Sequence, residues 1–130
     1  LTRPDMVARK SGAILVISSV AGLVGNSTIG AYGITKAADL QLVRNLATSW
    51  GRDGIRVNAI APGLIKTDFA RALWDNPDTL ATTLKQSPLG RIGEPVDIAG
   101  AAVLLVSEAG KFITGTTIVI DGGVTIAGRG

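Results

Sequence analysis

The sequence predicts an α/β fold in which a doubly wound parallel sheet is covered by crossover helices. Residues 13–17 form a continuous apolar run, which is typical of a strand buried on both faces. Two further strand-like runs, at residues 55–61 and 116–120, are separated by segments with helical spacing. Strands joined in this way favour parallel pairing with right-handed connections. The 130 residues contain no linker that would divide them, so we expect a single domain.

The helices are predicted from apolar spacing and from their end signals. Residues 3–10 resemble the last turns of an amphipathic helix that leads into the first strand. A long helix is predicted at residues 30–50. Its apolar stripe recurs every three or four residues and consists of Leu40, Val43, Leu46, Ala47 and Trp50. The last helix is predicted from Pro95 to residue 110, because proline and a nearby aspartate suit a first helical turn.

Residues 64–89, which we call the flap, are predicted to contain short helices rather than a layer of the core. The pairs Asn76–Pro77 and Ser87–Pro88 interrupt its helical pattern. Leu73 and Trp74 indicate either an apolar substrate pocket or ordinary core positions.

The residues that are absent exclude several chemistries. The sequence has no histidine and no cysteine, which excludes Ser-His-Asp triads, thiolate nucleophiles and zinc knuckles. We therefore expect no metal site, and any acid–base chemistry must use tyrosine, lysine or a carboxylate. The absence of cysteine also fits a reducing compartment, so we expect a cytoplasmic protein.

Charge and hydropathy indicate what the protein does not bind. The net charge is +3, the basic residues are scattered along the chain, and aromatic residues make up only 4%. We therefore expect no nucleic-acid partner. Residues 11–35 are uncharged but contain glycine, serine, threonine and asparagine. Because a bilayer span needs about 20 mostly apolar residues, this segment is not a membrane helix.

The predicted topology places three side chains that can transfer or bind a proton near the carboxyl end of the first strand. Ligands of open parallel sheets bind beyond the carboxyl ends of the strands, where Ser19 is placed. Tyr32, the only tyrosine, and Lys36 lie four residues apart, on one face of the long helix. A nearby ammonium favours the phenolate, and a tyrosine beside a serine donor suits carbonyl–alcohol interconversion. The alternative is a surface tyrosine with a lysine that extends along the helix into solvent.

Five segments occur together in one order and carry a resemblance. They are GAILVISSVAG, YGITKAA, IRVNAIAPGLIKTD, GRIGEPVDIAGAAVLLVSE and ITGTTIVIDGG. Over residues 11–123 the chain closely resembles the short-chain dehydrogenase/reductase family. Within it, the sequence is similar to the oxoacyl-carrier-protein reductase and carbonyl reductase groups. The resemblance implies a Rossmann-like fold and NAD or NADP as cofactor.

The resemblance also assigns roles to particular residues. It implies that Ser19, rather than Ser18, orients the substrate, that Tyr32 is the catalytic acid–base, and that Lys36 binds the nicotinamide ribose. The loop after the second strand is expected to contact the cofactor through Pro62, Gly63, Ile65 and Thr67. An ordinary turn is an equal alternative for the proline and glycine.

Two further positions are expected to support the fold rather than to react. Asn58 is expected to bond backbone groups across the sheet. Residues 121–123, Asp-Gly-Gly, are expected to form a turn that supports the site at the end of the last strand.

The sequence departs from the family pattern in the part that binds the cofactor. It has no glycine-rich turn for a cofactor pyrophosphate, since Gly22, Gly25 and Gly30 lie before the tyrosine helix. We therefore expect residues 1–130 to be the C-terminal part of a single NAD(P)-binding Rossmann-type domain, without its N-terminal cofactor-binding half. A three-strand sheet is thin, so either preceding chain or another copy is expected to cover its open edge.

Two functions are consistent with these features. The first is an NAD(P)-dependent oxidoreductase that interconverts a small-molecule carbonyl and a secondary alcohol through a Ser-Tyr-Lys site, in a dimer or tetramer. The second is a non-catalytic fragment or oligomerisation module that binds no dinucleotide. A carrier of another nucleotide is a third reading with little support, because the sequence has no phosphate loop.

Overall fold

The computed structural model describes residues 3–127, which alternate between helices and parallel strands. The strands are β1 (Gly12–Ile17), β2 (Ile55–Pro62) and β3 (Thr117–Ile120). The helices are α1 (Arg3–Ala8), α2 (Gly30–Trp50), α3 (Arg71–Trp74), α4 (Pro77–Gln86) and α5 (Pro95–Val106). Short 3₁₀ helices lie at Val20–Gly22, Gly51–Asp53 and Glu108–Gly110. The predicted order of elements is confirmed, and the short helices predicted in the flap are α3 and α4.

Within the described residues the sheet has three parallel strands in the order β1-β2-β3. Ile17 at the end of β1 pairs with Ile60, and Pro62 at the end of β2 pairs with Ile120 of β3. All three carboxyl ends therefore meet at one edge of the sheet, where open α/β sheets bind ligands. The predicted covering of an open edge of the sheet stays a prediction.

Helix α2 covers one face of the sheet and forms the main core. Its predicted stripe is confirmed, because Leu40, Val43 and Ala47 are buried and the other two members pack partly buried against them. They meet alternate residues of β2, namely Ile55, Val57 and Ala59, all buried. Because successive side chains of a strand point to opposite faces, the even-numbered residues of β2 face away from α2.

Two polar residues of β2 connect that other face to α5 and to the chain before β3. The Arg56 guanidinium donates to the carbonyls of Leu105 at 2.6 Å and Ser107 at 3.2 Å, which lie at the C-terminal end of α5. Asn58 is 1% exposed; its Nδ2 donates to Ile113 O and its Oδ1 accepts from Thr116 N. Asn58 therefore has the structural role expected from the sequence.

Helix α5 ends earlier than the sequence predicts. Its last residue is Val106, and Ser107 is extended, with φ of −94° and ψ of 176°. A separate 3₁₀ turn then covers Glu108–Gly110. The prediction of one helix to residue 110 is wrong because Arg56, which is 49 residues or more away in sequence, binds the carbonyls at this end.

Candidate active site

Tyr32 and Lys36 lie one turn apart on α2, beside the carboxyl end of β1. The Lys36 Nζ lies 5.7 Å from the centroid of the Tyr32 ring. It donates to the Ile17 carbonyl at 3.3 Å and to the Asp39 carboxylate at 3.2 Å. The lysine therefore links the helix to the strand end, and both of its contacts hold the ammonium near the tyrosine.

The two serines that follow β1 have different roles. Ser18 is 5% exposed, and its Oγ donates to the Lys36 carbonyl at 2.9 Å, which fixes α2 against the strand. The Ser19 Oγ accepts from the Ala21 backbone N–H at 3.1 Å and so caps the following 3₁₀ turn. A hydroxyl that accepts in this way still has its own proton to donate. Ser19 is thus the serine whose hydroxyl can serve a ligand.

Glycine permits the 3₁₀ turn to lie directly on the backbone of α2. A Cβ at Gly22 would lie 2.6 Å from the Lys36 carbonyl carbon and 2.7 Å from Ala37 N. A Cβ at Gly33 would lie 2.8 Å from Ala21 O. Only glycine fits at both contacts, and they bring Ser19 next to the turn of helix that carries Tyr32 and Lys36.

The loop after β2 is fixed at both ends by backbone hydrogen bonds. Gly63 N donates to Ile120 O at 2.9 Å, and a Cβ on this glycine would lie 2.9 Å from Asp121 Cα. Further along, Ile65 forms a parallel bridge with Gly93. That bridge uses the N–H of Lys66 and the carbonyl of Leu64, so the Ile65 N–H lies outside the pairing.

All the residues singled out as site candidates line one cleft at this edge of the sheet, which has a volume of about 1890 Å³. They are Ser19, Tyr32, Lys36, Pro62, Gly63, Ile65 and Thr67. The flap covers one side of the cleft. Because ligand pockets usually enclose about 300–1,000 Å³, the space exceeds what one small molecule needs.

The flap contributes Leu73 to the cleft wall, but the lining does not include Trp74. The indole N–H of Trp74 instead donates to Thr67 O at 2.8 Å, so this side chain braces the loop after β2. Phe69, which is 89% exposed, also lines the cleft. Sequence reasoning missed Phe69, because an isolated aromatic residue between helices has no periodic signal.

Asp121 supports the site from the end of β3. Burial acts to raise the pKa of this carboxyl, but hydrogen bonds from Thr125 and from the Gly123 N–H outweigh it and lower the pKa. The carboxylate accepts from both the N–H and the hydroxyl of Thr125 at 2.7 Å. It therefore orders the turn after β3, and both Thr125 and Val124 of that turn line the cleft.

Arg91 and Asp97 form a two-bond ion pair at the start of α5, with N–O distances of 2.6 and 2.9 Å. The Arg91 side chain and the Glu94 backbone N–H lower the pKa of Asp97 to about 2. Because this pKa lies below the usual unfolded value, the pair stabilises the fold fully above about pH 4. That stabilisation is lost as the pH falls through about 2.

We therefore expect Asp97→Asn to lower the Tm at neutral pH and to flatten its acid dependence. The Tm values of the variant and the unsubstituted protein should converge as the pH falls toward about 2. Thermal unfolding followed by circular dichroism at a series of pH values measures this. Asp75→Asn, which removes an exposed carboxylate, is the control. An Asp97→Asn deficit that stays constant with pH would contradict the assignment.

Two findings concern absences within residues 3–127. That part of the chain holds no group of three or more acidic residues placed to bind a metal ion. Among its helices, none has both the length and the apolar character needed to cross a bilayer.

Comparison with known proteins gives consistent matches along almost the whole chain. A family described as enoyl-(acyl carrier protein) reductase matches residues 2–125. A tropinone reductase homologue of Arabidopsis thaliana is 43% identical over 129 residues, which are 98% of this chain and 48% of that protein. Galactitol 2-dehydrogenase (L-tagatose-forming) of Cereibacter sphaeroides is 41% identical over 93% of this chain and 48% of that protein.

Solved structures agree with the fold. Gluconate 5-dehydrogenase of Burkholderia cenocepacia, in complex with NADP and tartrate, has a TM-score of 0.93 and 37% identity. The match covers 97% of this chain and 49% of that one. A 4-hydroxyisoleucine dehydrogenase complexed with NADH has a TM-score of 0.90 and 33% identity, over 96% of this chain and 52% of that one.

A parallel sheet with helices on both faces, and a cleft at the carboxyl ends of its strands, defines a Rossmann-like α/β protein. The matches over residues 2–125 identify it further: the chain belongs to the short-chain dehydrogenase/reductase family. It spans about half the length of the curated relatives it matches.

Proposed function

We propose that the protein containing this chain is an NAD(P)-dependent oxidoreductase that interconverts a carbonyl and a secondary alcohol. The observation that carries the proposal is the shared cleft, which Ser19, Tyr32 and Lys36 all line. Family membership supports the class of reaction. The solved relatives that hold NADP or NADH support the class of cofactor.

In this proposal Tyr32 transfers the proton. In the direction of reduction its hydroxyl donates to the carbonyl oxygen of the substrate, and in oxidation the phenolate accepts the alcohol proton. Ser19 donates a hydrogen bond to the same oxygen, since its own Oγ is held by the Ala21 N–H. The two groups then polarise one carbonyl from two directions.

The residues present fit the nicotinamide half of a dinucleotide, which supplies the hydride when bound. Lys36 has three N–H donors, and Ile17 O and Asp39 take two of them, which leaves one for a ribose hydroxyl. The Ile65 N–H outside the bridge with Gly93 offers a donor to a carboxamide. Pro62, Gly63 and Thr67 complete this wall of the cleft.

We also propose that residues 1–130 are the C-terminal part of a longer Rossmann-type domain. The support is that the chain aligns with about half of each relative. The pyrophosphate-binding half of the cofactor site then lies in the remainder of that domain.

Exposed apolar side chains support the proposal that copies of the protein associate. Helix α5 exposes 63% of Val103 and 50% of Val106, and Val119 of β3 is 41% exposed. An exposed apolar surface that extends over neighbouring elements is typical of a protein–protein interface. A homodimer or homotetramer that forms through α5 and β3 is compatible with an enzyme. A non-catalytic oligomerisation module would form the same assembly, so association alone does not distinguish the two functions. The cytoplasmic location stays a prediction.

Calorimetric titration with NADH and NADPH separates the enzyme from the associating module. We expect the natural protein that contains this chain to bind one of the two cofactors and to consume it when a ketone is added. We expect the 130-residue chain, although folded by circular dichroism, to bind the same cofactor far more weakly. A natural protein that is folded and oligomeric yet binds neither cofactor would contradict the proposed function and favour the module. Tight binding by the 130 residues would contradict the proposed division of the domain.

A further inference from the structure

The cleft contains one charged side chain whose partner is not found within residues 3–127. Among the described residues, the charged members of its lining are two lysines, Lys36 and Lys85, and none is a carboxylate. Lys36 is paired with Asp39 at 3.2 Å. Lys85 makes no ion pair or side-chain hydrogen bond with any described residue. The cleft therefore has a net positive wall on the side of the flap.

Lys85 lies on a polar face that α4 turns toward the cleft. Thr82, Lys85 and Gln86 have helical spacing and all three line the cleft. The Thr82 hydroxyl already donates to Asp78 O at 2.9 Å. The ammonium of Lys85 and the amide of Gln86 are then the groups on this face that can donate to a ligand.

Apart from Thr67, the remainder of the flap wall is apolar. Phe69 is 89% exposed and Leu73 is 49% exposed, although both line the cleft. Lys85 is exposed and lines the same cleft as these apolar side chains. A cleft with one sign of charge and low-dielectric walls focuses the electrostatic field on an anion that enters it. A ligand that suits this wall has an apolar carbon chain and an anionic group near Lys85.

We propose that Lys85, assisted by Gln86, binds a carboxylate of the substrate, so that the substrates are oxo acids and hydroxy acids with an apolar carbon chain. The proposal rests on the function proposed above, because it places the reacting carbonyl at Ser19 and Tyr32. Lysine is a point charge with three rotatable donors, so it holds a carboxylate without fixing the plane of the group.

The test compares two ligands that differ in charge and little in shape. Hexanoate and hexanamide are titrated by calorimetry into the natural protein saturated with NADPH, or with NADH if that is the cofactor it binds. We expect hexanoate to bind at least about ten times more tightly, the size expected for a charge-assisted hydrogen bond. In Lys85→Gln we expect the two affinities to become equal, and in Lys85→Glu we expect hexanamide to bind more tightly. Lys111→Gln, a change of the same kind outside the cleft, should preserve the preference.

The outcomes that overturn the inference are separate from those that overturn the proposed function. Equal affinities in the unsubstituted protein, no measurable binding of hexanoate, or a preference that persists in Lys85→Gln would each contradict it. A weaker affinity of Lys85→Gln for the cofactor alone would assign the charge to a cofactor phosphate and also contradict it. By contrast, a Tyr32→Phe protein with full turnover would overturn the function and leave the hexanoate preference unchanged.

Discussion

Gly22→Ala is expected to reduce kcat/KM of the natural protein by about 100-fold, the cost of a displacement of about 1 Å in a site. The new Cβ would meet the Lys36 carbonyl carbon at 2.6 Å and Ala37 N at 2.7 Å. These are backbone atoms of α2, so no side-chain rotation relieves the clash. Either the turn that holds Ser19 moves away, or the helix that holds Tyr32 and Lys36 does. We also expect the free energy of unfolding to fall by about 1–3 kcal/mol, as in other overpacked sites.

Gly25→Ala is the matched control, because a Cβ at Gly25 would have nothing within 4 Å. It lies in the same loop and tests the effect of glycine replacement without the clash. Steady-state kinetics and urea denaturation of both variants measure the difference. Equal activity in the two variants would show that the close contact between the turn and α2 does not position the site.

The strands and the core helix could be predicted because local pattern and tertiary burial agree. The continuous apolar run at residues 13–17 lies within β1, and the stripe from Leu40 to Trp50 faces the sheet as its spacing requires. Asn58 was also predictable in kind, since a lone polar residue in a buried strand needs backbone partners. For these features the local sequence pattern alone was sufficient to predict the structure.

The end of α5 could not be predicted, because a distant residue decides it. Arg56 of β2 donates hydrogen bonds to the carbonyls of Leu105 and Ser107. The sequence of residues 95–110 alone does not indicate this contact. The hydrogen-bond partner of Ser18 is a similar case, although the choice of Ser19 over Ser18 as the site residue was expected from the family resemblance. The structure adds that Ser18 is committed to Lys36 O, which the spacing of the two serines does not reveal.

The site was predictable only where it coincides with a motif. Tyr32, Lys36 and the loop after β2 belong to segments with matched order and spacing, and the structure brings them to one cleft. Lys85 and Phe69 belong to the flap, where short helices and exposed side chains give no pattern to follow. Their contribution to the cleft depends on how the flap folds over the sheet edge.

Tyr32→Phe is expected to reduce kcat by about 10²–10⁴-fold, the usual contribution of a general acid–base group. Stability is expected to change by less than about 0.5 kcal/mol. The side chain is half-buried, and its hydroxyl makes no hydrogen bond with any described residue, so the variant loses an oxygen and no structural contact. Ser49→Ala removes another hydroxyl from α2, more than four turns from Tyr32, and is expected to retain full activity.

The most direct measurement is the single-turnover rate of Tyr32→Phe in the natural protein, with cofactor and substrate both saturating. If Tyr32 supplies the proton, the rate falls by at least about 100-fold while the affinity for the cofactor and the Tm remain those of the unsubstituted protein. An unchanged rate in a folded, cofactor-bound variant would contradict the role of Tyr32 and, with it, the assignment of this cleft as the site of proton transfer.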